Sequence, residues 1–239
     1  MDVAHPELSI ILPTYKEKEN LTILIPQIEA EFRDTAHEII IVDDHSDDGT
    51  RELVQHLDEQ YHNVVLLERP GLFGIGSALR DGYNKARGEY ILSSDADLSF
   101  TTDDMRKIFD YIRTGADLVI GIRTDASGKK YSLKGWFENH LISPMSNRII
   151  GLVSGVGLKN YNTNFRIIRS SVWTRIRTVE NRQFFLFEMI IRAKQAGAKI
   201  GETPVAFAPR QFGESKVSFF KQAPKYFLQL LRIVFFDKG

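Results

Sequence analysis

The chain has 239 residues, 43% of them hydrophobic, which is enough apolar material for one large domain or two small ones and excludes a disordered protein. Lys plus Arg and Asp plus Glu both total 31, so no whole-molecule field recruits nucleic acid, and no nucleic-acid partner is expected. Cysteine is absent, which excludes disulfides and thiolate metal sites and agrees with a reducing compartment.

In chain order, "MDVAHPELSI" lacks the basic and then apolar pattern of a signal peptide, so none is expected. Runs rich in branched aliphatics predict strands at Leu8–Pro13, Glu38–Asp44, Val64–Glu68, Tyr90–Asp95 and Asp117–Ile122. Helical periodicity lies between them, over Thr50–Tyr61, Gly76–Arg87 and Asp103–Arg113. This alternation predicts an α/β fold with a mostly parallel sheet covered on both faces. Gly88 and Gly115 sit where left-handed helix caps are expected. Pro26, inside "LTILIPQIEAEF", predicts a bent or restarted first helix. Residues 124–160 are glycine-rich and offer no clean strand. Regular elements resume with "NFRIIRS" as a strand, "FFLFEMIIRAKQAG" as a helix ended by Gly197, "ETPVAFAPR" as a strand, and a final helix from about Ser218.

In open parallel sheets ligands sit beyond the carboxyl ends of the strands. The first strand runs into "PTYKE", the second into "DDHSDDGT", the fourth into "DAD" and the fifth into Arg123. If Tyr90 to Phe100, "YILSSDADLSF", stays extended, Asp95 and Asp97 point the same way. Asp43, Asp44, Asp95 and Asp97 would raise each other's pKa unless a cation shares the site. A hard divalent ion, Mg²⁺ or Mn²⁺, answers this, because such ions bind through one or two carboxylates plus substrate phosphates. Asp47 and Asp48 fit that site or a plain helix cap equally. "GLFGIGSALRDG" does not have the G-x-G-x-x-G spacing and follows the third strand, so a dehydrogenase is rejected. Its glycines fit either close approach to a phosphate or a tight turn.

"ILPTYKEKENL", "IVDDHSDDGT", "GSALRDGYNKARGEYILSSDADLS" and "RQFGESK", in this order and spacing over nearly the whole chain, resemble family 2 glycosyltransferases of GT-A fold. The branch most resembled contains dolichol-phosphate mannose synthase and bacterial polyprenyl-phosphate glycosyltransferases. The resemblance implies one catalytic domain over 1–239, with a nucleotide-binding half (1–123), an acceptor-binding half (124–216) and a C-terminal amphipathic helix (217–239). It implies that Pro13, Tyr15 and Glu17 line the base and ribose of the nucleotide, with Asp44 beside them. It gives Asp95 and Asp97 the ribose and the metal-bound diphosphate, with Ser99 near the same ion. Arg123, Arg166, Arg210 and Lys216 fall where that branch uses cations for phosphates, and Glu188 matches a carboxylate near the sugar. Departures are Lys16 for a common asparagine, Ile75 in a usual basic or leucine position, and Asn164 for a usual glycine.

The implied activity is inverting transfer of a hexose from GDP-mannose or UDP-glucose to dolichyl or polyprenyl phosphate at the cytoplasmic face of a membrane. A phosphate monoester acceptor, with a second pKa of about 6, is already anionic at neutral pH and needs no general base. It needs a cationic cradle instead, which Arg210 and Lys216 around Gly213 would supply. Five basic residues against one acidic occupy Lys129–Lys159, and six against two occupy Arg210–Gly239. Both segments mix cations with aromatics and aliphatics, as interfacial helices do, so peripheral contact with a membrane surface is expected. The alternative for the last helix is packing on the core or on another subunit of a homo-oligomer. Val217–Phe236 is interrupted by Lys221, Lys225 and Arg232, so no spanning helix is expected. Two other readings are a transferase acting on a saccharide hydroxyl, with Glu188 as base, and a non-catalytic nucleotide-sugar-binding protein.

Overall fold

The computed structural model describes residues 5–124, 148, 150–152, 155–159, 161–206 and 228–236. Most of the basic 129–159 segment, the "RQFGESK" motif and most of the final helix lie outside the described residues, so the expectations for them do too. Within them, residues 228–231 are helical and Arg232–Phe236 forms a π-helical turn.

Strands β1 (Leu8–Thr14), β2 (His37–Asp43), β3 (Val64–Glu68), β4 (Tyr90–Ser93), β5 (Leu118–Thr124), β6 (Arg166–Arg169) and β7 (Ile200–Ala206) form one sheet in the order β3-β2-β1-β4-β6-β5-β7. All neighbours pair parallel except β6, which runs antiparallel to β4 and β5. The helices are α1 (Lys18–Glu31), α2 (Thr50–Tyr61), α3 (Ile75–Lys85), α4 (Thr102–Arg113), α5 (Ser170–Trp173) and α6 (Phe185–Gln195). This is the α/β architecture that the alternation predicts, with β6 the exception.

Side chains alternate between two apolar layers, as the two-residue period of a strand requires. Leu8, Ile10 and Leu12 of β1 and Ile39 and Ile41 of β2 pack with α1, α2 and α4. Ile11, Ile40 and Val42 face α3, α5 and α6 through Leu79, Tyr83, Trp173, Phe185 and Ile190. All of these β1 and β2 residues have no exposed surface. A strand buried on both faces reads as an unbroken aliphatic run, which is why "LSIIL" and "EIIIV" lack polar alternation.

Two expectations change. The helix α1 is continuous through Pro26 and does not restart. Pro26 and Thr22, whose carbonyl loses its i+4 donor, both lie on the exposed face, so water can satisfy that carbonyl. Gly115 and Gly197 are left-handed, with φ of 112° and 81°, whereas Gly88 is not. The end of α3 turns at Ala86 in an extended conformation instead. Gly88 is required by contact: a Cβ there would lie 2.6 Å from the Ser9 backbone nitrogen.

That contact belongs to a buried knot that sets β4 beside β1. Ser9 Oγ donates to Glu38 Oε1 at 2.6 Å and accepts from Gly88 N at 2.8 Å. Arg87 closes it, its backbone N–H reaching Glu38 Oε1 at 2.7 Å and its guanidinium Glu38 Oε2 at 2.8 Å. Replacing Gly88 by Ala is expected to cost about 1–3 kcal/mol of stability by overpacking this crossing. The measurement is a urea unfolding curve, with a lower midpoint at unchanged slope. A parental midpoint would show that the strand simply moves aside.

Candidate active site

The loops after β2, β3 and β4 each begin with a backbone bond to a neighbouring strand. Asp44 N–H donates to Thr14 O at 3.0 Å, Arg69 N–H to Asp43 O at 2.8 Å, and Ser94 N–H to Ile11 O at 3.1 Å. The loops after β1, β2 and β4 also each hold one non-glycine residue in the left-handed region, namely Lys16, His45 and Leu98, with φ of 60°, 62° and 59°. Such residues cost about 1 kcal/mol or more each and gather where function constrains the chain.

The loops after β1, β2 and β3 enclose a cleft of about 450 Å³. Pro13, Tyr15, Glu17 and Asp44 line it together with Phe73, Gly74 and Arg182. The structure therefore brings together the four residues expected around a nucleotide. Asp43 turns away from this role: its Oδ1 accepts from Ser46 Oγ at 2.6 Å and its Oδ2 from Ser46 N–H at 2.8 Å, closing the turn. Asp48 caps α2, accepting from Thr50 Oγ1 at 2.6 Å, while exposed Asp47 pairs with Lys16 Nζ at 2.7 Å. Asp48, which also accepts from the Thr50 backbone N–H at 3.1 Å, fits the cap alternative, whereas Asp47 makes a surface ion pair and no cap.

Behind the cleft residues Asp44 and Phe73 lies Arg69, which the sequence alone does not single out. It is 5% exposed and pairs with Asp44, with Asp81 through Nε at 3.1 Å, and with Ser77. Its guanidinium also lies 5.4 Å from the Phe73 ring centroid. Burial pushes the Asp44 carboxyl above its usual range even though Arg69 opposes the shift. The signal in the sequence is slight: one arginine directly after the third strand, on the edge that carries Asp43 and Asp44.

The glycine-rich turn packs against protein. A Cβ on Gly74 would lie 2.4 Å from Asn181 O, and one on Gly76 2.5 Å from Phe185 Cβ. The close approach at these two glycines is thus to the 180–185 segment. Arg80 holds the same segment through Asn181 Oδ1 at 3.0 Å, which carries Arg182 to the cleft.

On the other side of β1, β4 ends at Ser93, so Asp95 and Asp97 are not presented by strand alternation as expected. A turn places them instead, with Asp95 half-buried and Asp97 4% exposed. Asp97 Oδ1 accepts from Ser99 N–H at 3.1 Å, and Asp95 Oδ1 accepts from Asn164 Nδ2 at 3.2 Å. Ser99 Oγ is buried with no hydrogen-bond partner among the described residues. Two carboxylates and an unsatisfied hydroxyl are hard oxygen donors of the kind Mg²⁺ or Mn²⁺ takes alongside substrate phosphates. No group of three or more His, Cys, Asp or Glu side chains arranged for a metal occurs among the described residues. An ion here would therefore depend on ligand oxygens to complete its shell.

The remaining candidates are placed differently. Arg166 has no exposed surface, and its guanidinium donates to Thr163 O at 3.1 Å and Leu186 O at 2.8 Å. Burial pushes its pKa down to about 10, opposed by Tyr83 and Asp95. In this position it braces the loop before β6 and does not face solvent. Glu188 is also fully buried and accepts the backbone N–H groups of Val179 at 3.0 Å and Glu180 at 2.9 Å. Burial raises its pKa, and those donors oppose the rise. Arg123 is the penultimate residue of β5, opposite Val205, and its side chain lies outside the described residues, as do Arg210 and Lys216.

Residues 9–176 match the family model described as glycosyl transferase family 2. The chain is 32% identical over 214 residues to a dolichol-phosphate mannosyltransferase of Pyrococcus furiosus, covering 88% of this chain and 59% of that protein, so it spans less than two thirds of that relative. It is 29% identical over 217 residues to a polyprenol monophosphomannose synthase of Mycolicibacterium smegmatis, covering 87% and 80%. Among solved structures, a glucosyl-3-phosphoglycerate synthase from Mycobacterium tuberculosis, crystallised with Mn²⁺, uridine diphosphate and phosphoglyceric acid, superposes with a TM-score of 0.69. Identity there is 13%, covering 99% of this chain and 80% of that one. A mannosyl-3-phosphoglycerate synthase from Rubrobacter xylanophilus gives 0.70 at 14% identity, covering 95% and 74%. At these identities the structural matches speak for the fold alone, which is GT-A.

Removing Arg69 would strand the Asp44 charge. Arg69→Leu is expected to cost about 3–5 kcal/mol at neutral pH, and Arg69→Leu with Asp44→Asn less than the sum of the two single changes. A carboxyl whose folded pKa is raised favours the fold while protonated, and that contribution is lost as pH rises through the folded value. Without Arg69 the Asp44 value should rise further, so the penalty of Arg69→Leu should shrink as pH falls from that higher value to the parental raised one and stay constant below it. Urea unfolding of the four proteins across that range measures it, and strict additivity would refute the pairing.

Proposed function

The chain belongs to glycosyl transferase family 2, and from that premise we propose that it moves a hexose from a nucleotide diphosphate sugar to a dolichyl or polyprenyl phosphate, with inversion. The observation that carries this reading is the placement of Pro13, Tyr15, Glu17 and Asp44 around one cleft, with the Asp95–Ser99 turn across β1. The cleft has an aromatic wall, the carboxylates of Glu17 and Asp44 and the cation of Arg182, which suits a nucleotide. The names of the two sequence relatives favour mannose as the sugar and a polyprenyl phosphate as acceptor.

Asp95, Asp97 and Ser99 would hold a divalent ion beside the donor diphosphate. Bound there, Mg²⁺ or Mn²⁺ supplies Lewis-acid neutralisation of the charge that develops on the leaving nucleoside diphosphate. The chain's own groups bind and orient: Asp44 and Tyr15 on the nucleotide side, Asn164 on Asp95. The acceptor phosphate attacks the anomeric carbon as an anion, and the bond to the diphosphate breaks on the opposite face. No proton has to be removed from such a nucleophile. The burial of Glu188 under two backbone N–H donors supports this acceptor over a saccharide hydroxyl, which needs a general base.

We assign the acceptor phosphate to Arg123, Arg210 and Lys216, and the cation-rich aromatic segments at 129–159 and 210–239 to a membrane surface on the cytoplasmic side. No helix among the described residues is long and apolar enough to cross a membrane.

The test is incubation with labelled GDP-mannose or UDP-glucose, Mg²⁺ or Mn²⁺ and a short-chain polyprenyl phosphate, followed by extraction into organic solvent. Label should enter the organic phase with one donor, should stay aqueous after chelation, and should return on adding metal. Asp97→Asn should lower the rate at least about a hundredfold, the scale of losing a group that stabilises leaving-group charge. Label that stays aqueous with every donor would overturn the lipid acceptor, and parental transfer by Asp97→Asn would overturn the metal role.

A further inference from the structure

The loop that enters β6 carries Asn164, which is 4% exposed. Its backbone carbonyl accepts from Ser93 Oγ at 2.7 Å, and its Nδ2 donates to Asp95 Oδ1 at 3.2 Å. An ionised carboxylate only accepts, so the amide must turn its NH₂ towards Asp95. The carbonyl oxygen Oδ1 is thereby directed elsewhere, buried and without a hydrogen-bond partner among the described residues.

Ser99 Oγ is in the same condition on the neighbouring loop. The two loops are tied together by the stacked rings of Phe100 and Phe165, with centroids 4.4 Å apart and planes 20° from parallel. Two unsatisfied buried oxygens thus belong to the two loops that carry and hold the aspartate pair. A buried acceptor of this kind costs free energy until a donor reaches it. The diphosphate of a sugar nucleotide offers only acceptors, so it cannot satisfy Oδ1. A sugar hydroxyl can.

We propose that Asn164 is a positioning residue for the sugar nucleotide: its amide fixes Asp95, and its Oδ1 accepts a hydrogen bond from a hydroxyl of the donor. This rests on the nucleotide-sugar reading above. The hydroxyl belongs to the ribose or to the hexose, and the chemistry of the contact is the same for both.

The experiment compares the full chain with Asn164→Ala and Asn164→Ser by titration calorimetry in Mn²⁺. The ligands are UDP, GDP, UDP-glucose, GDP-mannose and inorganic pyrophosphate, and the Tm of each protein is measured without ligand. Asn164→Ala removes the unsatisfied carbonyl, so its Tm should equal or exceed the parental value while nucleotide affinity falls about tenfold. A loss already present with the nucleoside diphosphate assigns the ribose; a loss confined to the sugar nucleotide assigns the hexose; either supports the proposal. Unchanged affinity for both overturns it, and so does an equal loss with pyrophosphate, which would show that only the hold on Asp95 matters and that no hydroxyl is bound at Oδ1. If alanine lowers the Tm, Asn164→Ser decides, since it keeps a donor towards Asp95. Affinity still reduced at parental Tm supports the proposal, and restored affinity overturns it. Failure of the parental chain to bind any nucleotide would overturn the function reading itself, and this role with it.

Discussion

The parallel pairing of β1 between β2 and β4 is the constraint that sets the site. The strand is buried on both faces, so it cannot shift by one residue without sending Ile10 and Leu12 into the layer built for Ile11. With the register fixed, Asp44 is tied to Thr14 and Ser94 to Ile11. The acidic turns therefore open at the same edge, on either side of β1. The left-handed turns at Lys16, His45 and Leu98 persist because packing on both faces of the sheet outweighs their local cost.

Buried charge along that edge is handled in three ways. Asp44 is neutralised by a guanidinium, and Arg69 by Asp44 and Asp81. Glu188 is surrounded by backbone N–H groups, and Arg166 by backbone carbonyls, so each is satisfied by chain that must be folded in place. Burial pushes the Tyr83 hydroxyl up to about 12 beside the same network, where it bonds Ser93 Oγ at 2.9 Å. Near Asp95 and Asp97 the situation differs. Ser99 Oγ and Asn164 Oδ1 have lost water without gaining a partner among the described residues, which is a cost more readily understood if a ligand completes the shell.

Most of the sheet was legible because strands buried on both faces read as uninterrupted aliphatic runs, as "LSIIL" and "EIIIV" do, while the edge strand "VVLLE" reads alike although only Val64 of it is buried. The residues around the cleft were legible because they end or closely follow those strands. Arg69 was not, since its partners lie 8 to 25 residues away and pair with it only once β2, β3 and α3 are assembled. Gly88 was misread because a missing Cβ can serve either a left-handed turn or a close crossing, and the crossing strand is 79 residues distant.

The sequence by itself determined the fold class, the edge of the sheet on which chemistry gathers, and the identity of the acidic turns, because those depend on local periodicity and on the residues immediately after each strand. Only the tertiary structure decided which polar side chains line the cleft and which brace the protein. Arg166 and Glu188 look like site residues in a row of letters, yet both are fully buried and hydrogen-bonded to the backbone of distant segments. Asp95 and Asp97 are adjacent through a turn after Ser93, not through the alternation of an extended strand. The reason is physical: burial and hydrogen-bond partners are properties of how distant segments meet, and no local pattern encodes them.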